Sequence, residues 1–137
     1  YRQIEEQAAG LENLEMAGAV PYDQVNGYFS RSRVFVNTSD SEGFPNSFLQ
    51  AWIRGVPVVS FFDPDGLIAR HGLGEAPGDM DDMAERVEGL LRDEQALAES
   101  AGRARRYAMA HYAPEAVLQR HVLLGATPRR EDAAAVA

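Results

Sequence analysis

One central stretch of the chain constrains the fold most, because strand-like and helix-like patterns alternate in it across very short connections. Residues 33–37 are mainly β-branched and aromatic, which is typical of a strand. Residues 47–54 predict a helix with Asn46 as its N-cap and Gly55 as its stop. Residues 56–62 form a nearly continuous apolar run, as in a strand covered on both faces. This order predicts a parallel α/β sheet with right-handed crossovers.

The flanking segments extend the alternation. Residues 13–20 predict a short strand, and Pro21 can open a helix that runs to residue 31. Residues 63–79 are rich in glycine, proline and acids, so we expect mostly loop there, with a brief strand near Leu73. Further helices are expected over residues 1–11, 80–91, 93–111 and 114–124.

Composition excludes several classes of function. The 137 residues suffice for one core but not for two ordinary domains. A net charge of −8 argues against nonspecific nucleic-acid binding, which needs a positive field. Cysteine is absent, which excludes disulfides and thiol chemistry, and lysine is absent too, which disfavours a receiver-like signalling domain. The histidines lack metal-ligand spacing, so we expect no metal site.

An acidic glycine loop lies between the predicted central strand and the helix after it. Glu42 follows the strand through four polar residues, so we expect it at the carboxyl edge of the sheet, where open α/β sheets bind ligands. Gly43 allows a ligand to come close to the backbone. The amides of Asn46 and Ser47 open the helix and can hold a phosphate. A carboxylate beside a helix N-terminus suits a ligand with hydroxyls and phosphates, such as a nucleotide sugar.

This loop and helix, in the run from Ser41 to Trp52, resemble the donor-site signature of retaining GT-B glycosyltransferases, in particular the large family 4 (group 1) type. That signature has a Glu-Gly-Phe-Pro-like start and a second acid eight positions after the first. Here the first acid is Glu42, whereas Gln50 stands at the second position. The resemblance implies a Rossmann-like partial donor domain over residues 1–126, followed by a flexible tail over residues 127–137.

The resemblance also implies a role for each residue of the signature. Gln50 departs from the family pattern, but an amide can accept a hydrogen bond from one ribose hydroxyl and donate one to another. Phe44 is expected to anchor the loop as well as to border the sugar. The implied contacts are donor sugar for Glu42, Gly43 and Phe44, diphosphate for the amides of Asn46 and Ser47, ribose for Gln50, and base for Val20.

The function implied by the resemblance is transfer of a sugar, with retention, from a nucleotide-diphosphate sugar, in bacterial polysaccharide or envelope glycan synthesis. No cofactor or metal is implied. A glycan or lipid-linked acceptor would bind through an N-terminal domain that this chain lacks, so we expect the isolated chain to be inactive.

The implied location is cytoplasmic, at the inner face of the membrane. The arginines after residue 102 are expected to form either a solvated face or a basic strip that faces an anionic membrane or a partner domain. A noncatalytic sugar-nucleotide-binding or structural domain of the same fold stays open as the alternative.

Overall fold

A three-stranded parallel sheet forms the centre of the structure, a computed structural model that describes residues 2–113. The strands lie in the order β1-β2-β3, and the register pairs Phe35 with Val58 and Val58 with Gly74. The prediction of a parallel α/β fold is therefore confirmed. The helix and tail expected beyond residue 113 lie outside the described residues. The strands are β1 (Phe35–Asn37), β2 (Val58–Ser60) and β3 (Gly74–Glu75).

Helices flank this sheet, and the long ones agree with the sequence pattern to within a few residues. Asp79 caps α5, since its carboxylate accepts the N–H of Asp82 at 2.9 Å. A 3-10 turn over Pro64–Gly66 precedes the short α4, which the loop-like composition there did not predict. The helices are α1 (Arg2–Ala8), α2 (Tyr22–Arg31), α3 (Asn46–Ile53), α4 (Leu67–His71), α5 (Met80–Arg92) and α6 (Glu94–Tyr112).

The prediction of a strand over residues 13–20 is wrong. This segment has no regular secondary structure, and its large apolar residues Leu14 and Met16 are 49% and 42% exposed. A strand satisfies its backbone N–H and C=O groups only beside another strand, and none of the three described strands pairs with this segment.

The main core lies between α3, the sheet and α6. Phe48 and Trp52 are fully buried on α3, with ring centroids 5.7 Å apart, as their spacing of four residues predicts. The indole N–H of Trp52 donates to the backbone oxygen of Leu73 at 3.2 Å, which joins α3 to the start of β3. Ala104 and Ala108 are completely buried on α6, and their small side chains let that helix approach α3 closely.

Gly55 ends α3 as predicted, and its backbone has a φ of 70°. A residue with a Cβ is strained there by about 1–2 kcal/mol. We therefore expect Gly55→Ala to lower the free energy of unfolding by about that amount, measured by urea denaturation. The control is Gly89→Ala inside α5, where a Cβ would meet no atom within 4 Å and helix propensity should stabilise the fold. Equal effects of the two substitutions would contradict this account.

Candidate functional site

Glu42 is fixed at the carboxyl edge of the sheet by the last residue of β1. The side-chain amide of Asn37 donates to Oε1 of Glu42 at 3.1 Å, and its Oδ1 accepts the backbone N–H of Ser39 at 2.9 Å. Asn37 thus closes the turn after β1 and orients the carboxylate with one side chain. The sequence pattern did not single out Asn37, although a polar residue at the end of an otherwise apolar strand was an available signal.

The same contacts set the charge of the site. Hydrogen bonds from the side chains of Ser39 and, second, Asn37 lower the pKa of Glu42 below its ordinary value. The Glu42 side chain is exposed, so solvent and ligands can reach it. An ionised carboxylate has acceptor positions beyond those that the two side chains occupy. Glu42 is therefore an anionic acceptor, which suits ligand hydroxyls.

Because the pKa of Glu42 is depressed in the folded protein, its hydrogen bonds favour the fold at pH values above its unfolded-state pKa. That contribution is lost as the pH falls through the folded pKa. We expect Ser39→Ala to raise the pKa of Glu42 toward the ordinary value of about 4.3, measured by carboxyl NMR titration. The internal control is Asp82, whose pKa is lowered chiefly by the side chain of Arg86 and should not respond. An unchanged Glu42 titration would contradict the role of Ser39.

The N-terminus of α3 differs in one detail from the prediction. Pro45 rather than Asn46 occupies the cap position, with no side-chain capping bond, because Asn46 is already the first helical residue. The N–H of Phe48 donates to the oxygen of Pro45 at 3.0 Å. Within residues 2–113, the amides of Asn46 and Ser47 have no hydrogen-bond partner. These two amides are the donors that the start of α3 offers to a ligand.

Gln50 lies on α3 about one helical turn after these amides. It is half-buried and follows Asn46 by four residues and Ser47 by three, which places the three side chains on one face. Its backbone oxygen accepts a hydrogen bond from the guanidinium of Arg54 at 3.2 Å. Arg54 is thereby held at the far end of the helix, away from the free amides. The structure thus places Gln50 and the two free amides within the first turn and a half of α3, and their contacts with a ligand stay a prediction.

Phe44 and Gly43 complete the loop. The Phe44 ring is 42% exposed, and it packs against Trp52 and Tyr112 with centroid distances of 6.4 and 5.5 Å. Phe44 therefore anchors the loop onto α3 and α6, while part of its ring stays exposed to solvent. A Cβ at Gly43 would meet no atom within 4 Å, so the space beside this backbone is open.

Val20 lies in a separate loop. It is half-buried directly before Pro21 and α2, a helix whose Phe29 joins the core cluster around α3. Val20 forms no hydrogen bond with the other described residues. Its contact with a nucleotide base stays a prediction.

A cleft of about 510 Å³ opens at the carboxyl ends of the strands. It forms where the loops that follow β1, β2 and β3 meet. No local pattern predicted it, because its walls come from segments that are far apart in the sequence. The lining residues are Asp40, Phe61, Pro77, Gly78, Asp79 and Met80.

Residues 2–113 contain no group of three or more histidine, cysteine, aspartate or glutamate side chains that could hold a metal ion. In the same residues, every helix is too short or too polar to cross a membrane.

Comparison with known proteins gives one match. The model of a family described as "Glycosyl transferases group 1" matches residues 1–93, which is more than half of the chain and includes the Glu42 loop and α3. Neither a curated protein nor a solved structure was found to match.

Proposed function

The chain belongs to the group 1 glycosyltransferase family, and we propose that it is the donor-binding part of a retaining enzyme with the GT-B fold. Membership indicates sugar transfer between a donor and an acceptor. The proposal adds that the donor is a nucleotide-diphosphate sugar. One observation carries it: the ionised carboxylate of Glu42, held by Asn37, stands just before a helix whose first two amides are free.

The proposed chemistry follows from this arrangement. Glu42 accepts hydrogen bonds from donor-sugar hydroxyls, Gly43 leaves room for the sugar, and Phe44 holds the loop in place. The amides of Asn46 and Ser47 stabilise the diphosphate, a contribution on the order of 1 kcal/mol. Catalysis then depends on placing donor and acceptor together and on stabilising the nucleoside diphosphate as it leaves.

The test is an assay of the whole protein that contains this chain, with a panel of UDP-, GDP- and ADP-sugars. We expect release of nucleoside diphosphate from sugars of one base, and NMR of the product should show the anomeric configuration of the donor. Inversion would contradict the retaining mechanism. Tight donor binding without turnover in the presence of acceptor glycans would favour the noncatalytic alternative.

Gln50 supplies a specific prediction. A hydrogen bond to an ionised group contributes about 1.5–3 kcal/mol and a neutral one roughly 0.5–1.5 kcal/mol, but a carboxylate at position 50 would also repel the diphosphate. Because these effects oppose each other, we expect Gln50→Glu to change donor affinity less than about tenfold, measured by calorimetry. Gln3→Glu on α1 is the charge-matched control. A larger change would show that Gln50 does not bind the ribose in the way proposed.

A further inference from the structure

The cleft at the carboxyl ends of the strands is not used by any donor contact described above. Each of the three strands contributes a loop to it: Asp40 follows β1, Phe61 follows β2, and residues 77–80 follow β3. Asp40 belongs to the same loop as Glu42, two residues before it. The cleft therefore shares the loop after β1 with the proposed donor-sugar contact.

The walls of the cleft combine apolar surfaces with carboxylates. Phe61, Pro77 and Met80 supply the apolar part, and the side chain of Met80 is 60% exposed. Asp40 is exposed and has no hydrogen-bond partner among the described residues, so its oxygens are available. An apolar wall with a few convergent acceptors is the usual composition of a small-molecule site. Sugars fit such a wall, because their ring faces carry C–H groups and their edges carry hydroxyl donors.

The charge of the cleft selects against an anion. Among residues 2–113, no arginine or histidine lines it. The helix α5 beside it has Asp79 as its N-cap and Asp81 and Asp82 in its first turn. The N–H of Gly78 donates to the carboxylate of Asp82 at 2.9 Å and is therefore not free for a phosphate. Carboxylates at this helix end repel phosphate, so a neutral ligand is favoured.

The β3–α5 side of the cleft is held in place by an ion-pair network. The guanidinium of Arg86 contacts Glu75 at 2.9 Å and Asp82 at 2.6 Å, which ties the end of β3 to α5. Since Asp82 also accepts the N–H of Gly78, the lining loop is fixed at both ends. A preformed wall reduces the ordering that a weakly bound sugar must otherwise induce.

We infer that this cleft binds a neutral, hydroxyl-rich sugar unit of the glycosyl acceptor, with Asp40 as the acceptor of its hydroxyl hydrogens. The inference rests on the proposed function, because it takes the ligand to be the partner of the donor sugar bound by Glu42. This domain would thus supply part of the acceptor site, next to the donor, instead of leaving the acceptor to another domain alone.

The experiment is an NMR titration of the 137-residue chain with methyl glycosides of glucose, galactose, mannose and N-acetylglucosamine, each at millimolar concentration. We expect saturable shifts of the Met80 methyl group and the Gly78 amide with at least one glycoside. Inorganic phosphate should not move these signals. Asp40→Ala should weaken glycoside binding about tenfold. The matched control is Asp81→Ala, which removes an exposed carboxylate near the cleft that does not line it.

The outcomes separate the inference from the proposed function when nucleotide sugars are titrated in parallel. Donor shifts at residues 42–50 without glycoside shifts at the cleft would overturn the inference and leave the donor site standing. Glycoside shifts that Asp40→Ala weakens would support the inference even if no donor bound. The inference would be overturned if Asp40→Ala and Asp81→Ala weakened glycoside binding equally. It would also be overturned if phosphate shifted the Met80 methyl or Gly78 amide signals.

Discussion

Glu42→Ala is expected to lower kcat/KM of the whole protein about 100-fold, the largest effect on activity that the site predicts. The carboxylate is ionised, is oriented by Asn37 and Ser39, and stands at the open side of the loop. Its removal eliminates the charged group that we propose accepts hydrogen bonds from the donor-sugar hydroxyls. The hydrogen bonds that Glu42 accepts come from Asn37 at the end of β1 and from Ser39, both within five residues of it, so the fold should persist. Steady-state kinetics with the preferred donor measure the effect.

Two controls make the Glu42 result specific. Glu85→Ala removes an exposed acid of α5 and should leave kcat/KM unchanged. Circular dichroism and the urea midpoint of the Glu42→Ala protein should match those of the parent protein. A loss of activity below about threefold in a folded Glu42→Ala protein would remove Glu42 from the donor site.

Trp52→Ala is expected to have the largest effect on stability, about 3–5 kcal/mol in the free energy of unfolding. The indole is fully buried, touches the rings of Phe48 and Phe44, and donates its N–H to Leu73. Truncation leaves a cavity between α3 and α6 and removes one of the two hydrogen bonds that the Leu73 carbonyl accepts, the other coming from the N–H of Val58. Since the total free energy of unfolding of a domain of this size is about 5–15 kcal/mol, partial unfolding of the variant at 37 °C is expected.

Urea denaturation followed by circular dichroism measures this change, since Trp52 is the single tryptophan and fluorescence would be lost with it. Ile53→Ala on the same helix is the control, because that side chain is 38% exposed and should cost less than about 1 kcal/mol. Trp52→Phe keeps most of the ring volume and should fall between the two. If Trp52→Ala lowered the free energy of unfolding only about as much as Ile53→Ala does, the placement of Trp52 in the core would be contradicted.

The features that the sequence predicted well are those set by neighbouring residues. The apolar run that becomes β2, the Phe48 and Trp52 spacing, and the stop at Gly55 each follow from local periodicity or from glycine's backbone freedom. The placement of Glu42 at the carboxyl edge also needed only the order of strand, loop and helix. For that reason the α/β fold and the position of the candidate loop could be predicted from the sequence.

The features that the sequence missed depend on partners outside the local segment. Residues 13–20 resemble a strand in composition but have no described strand beside them. Asn46 is a good cap by residue type, yet the extended backbone of Pro45 begins the helix one residue earlier. Asn37 and the cleft around Asp40 and Phe61 arise from contacts between loops, which no periodicity encodes. Short helices such as α4 depend likewise on one side chain, here Asp63, whose carboxylate accepts the N–H groups of Ile68 and Ala69.

The central claim is that the Glu42 loop and the start of α3 bind a nucleotide-diphosphate sugar. An amide-resolved NMR titration of the chain with UDP-, GDP- and ADP-sugars tests it most directly. The account predicts saturable shifts centred on residues 42–50, with smaller ones at residues 19–22, for sugars of one base, and their loss in Glu42→Ala. Saturable donor shifts that bypass residues 42–50, or shifts there that Glu42→Ala leaves intact, would contradict it.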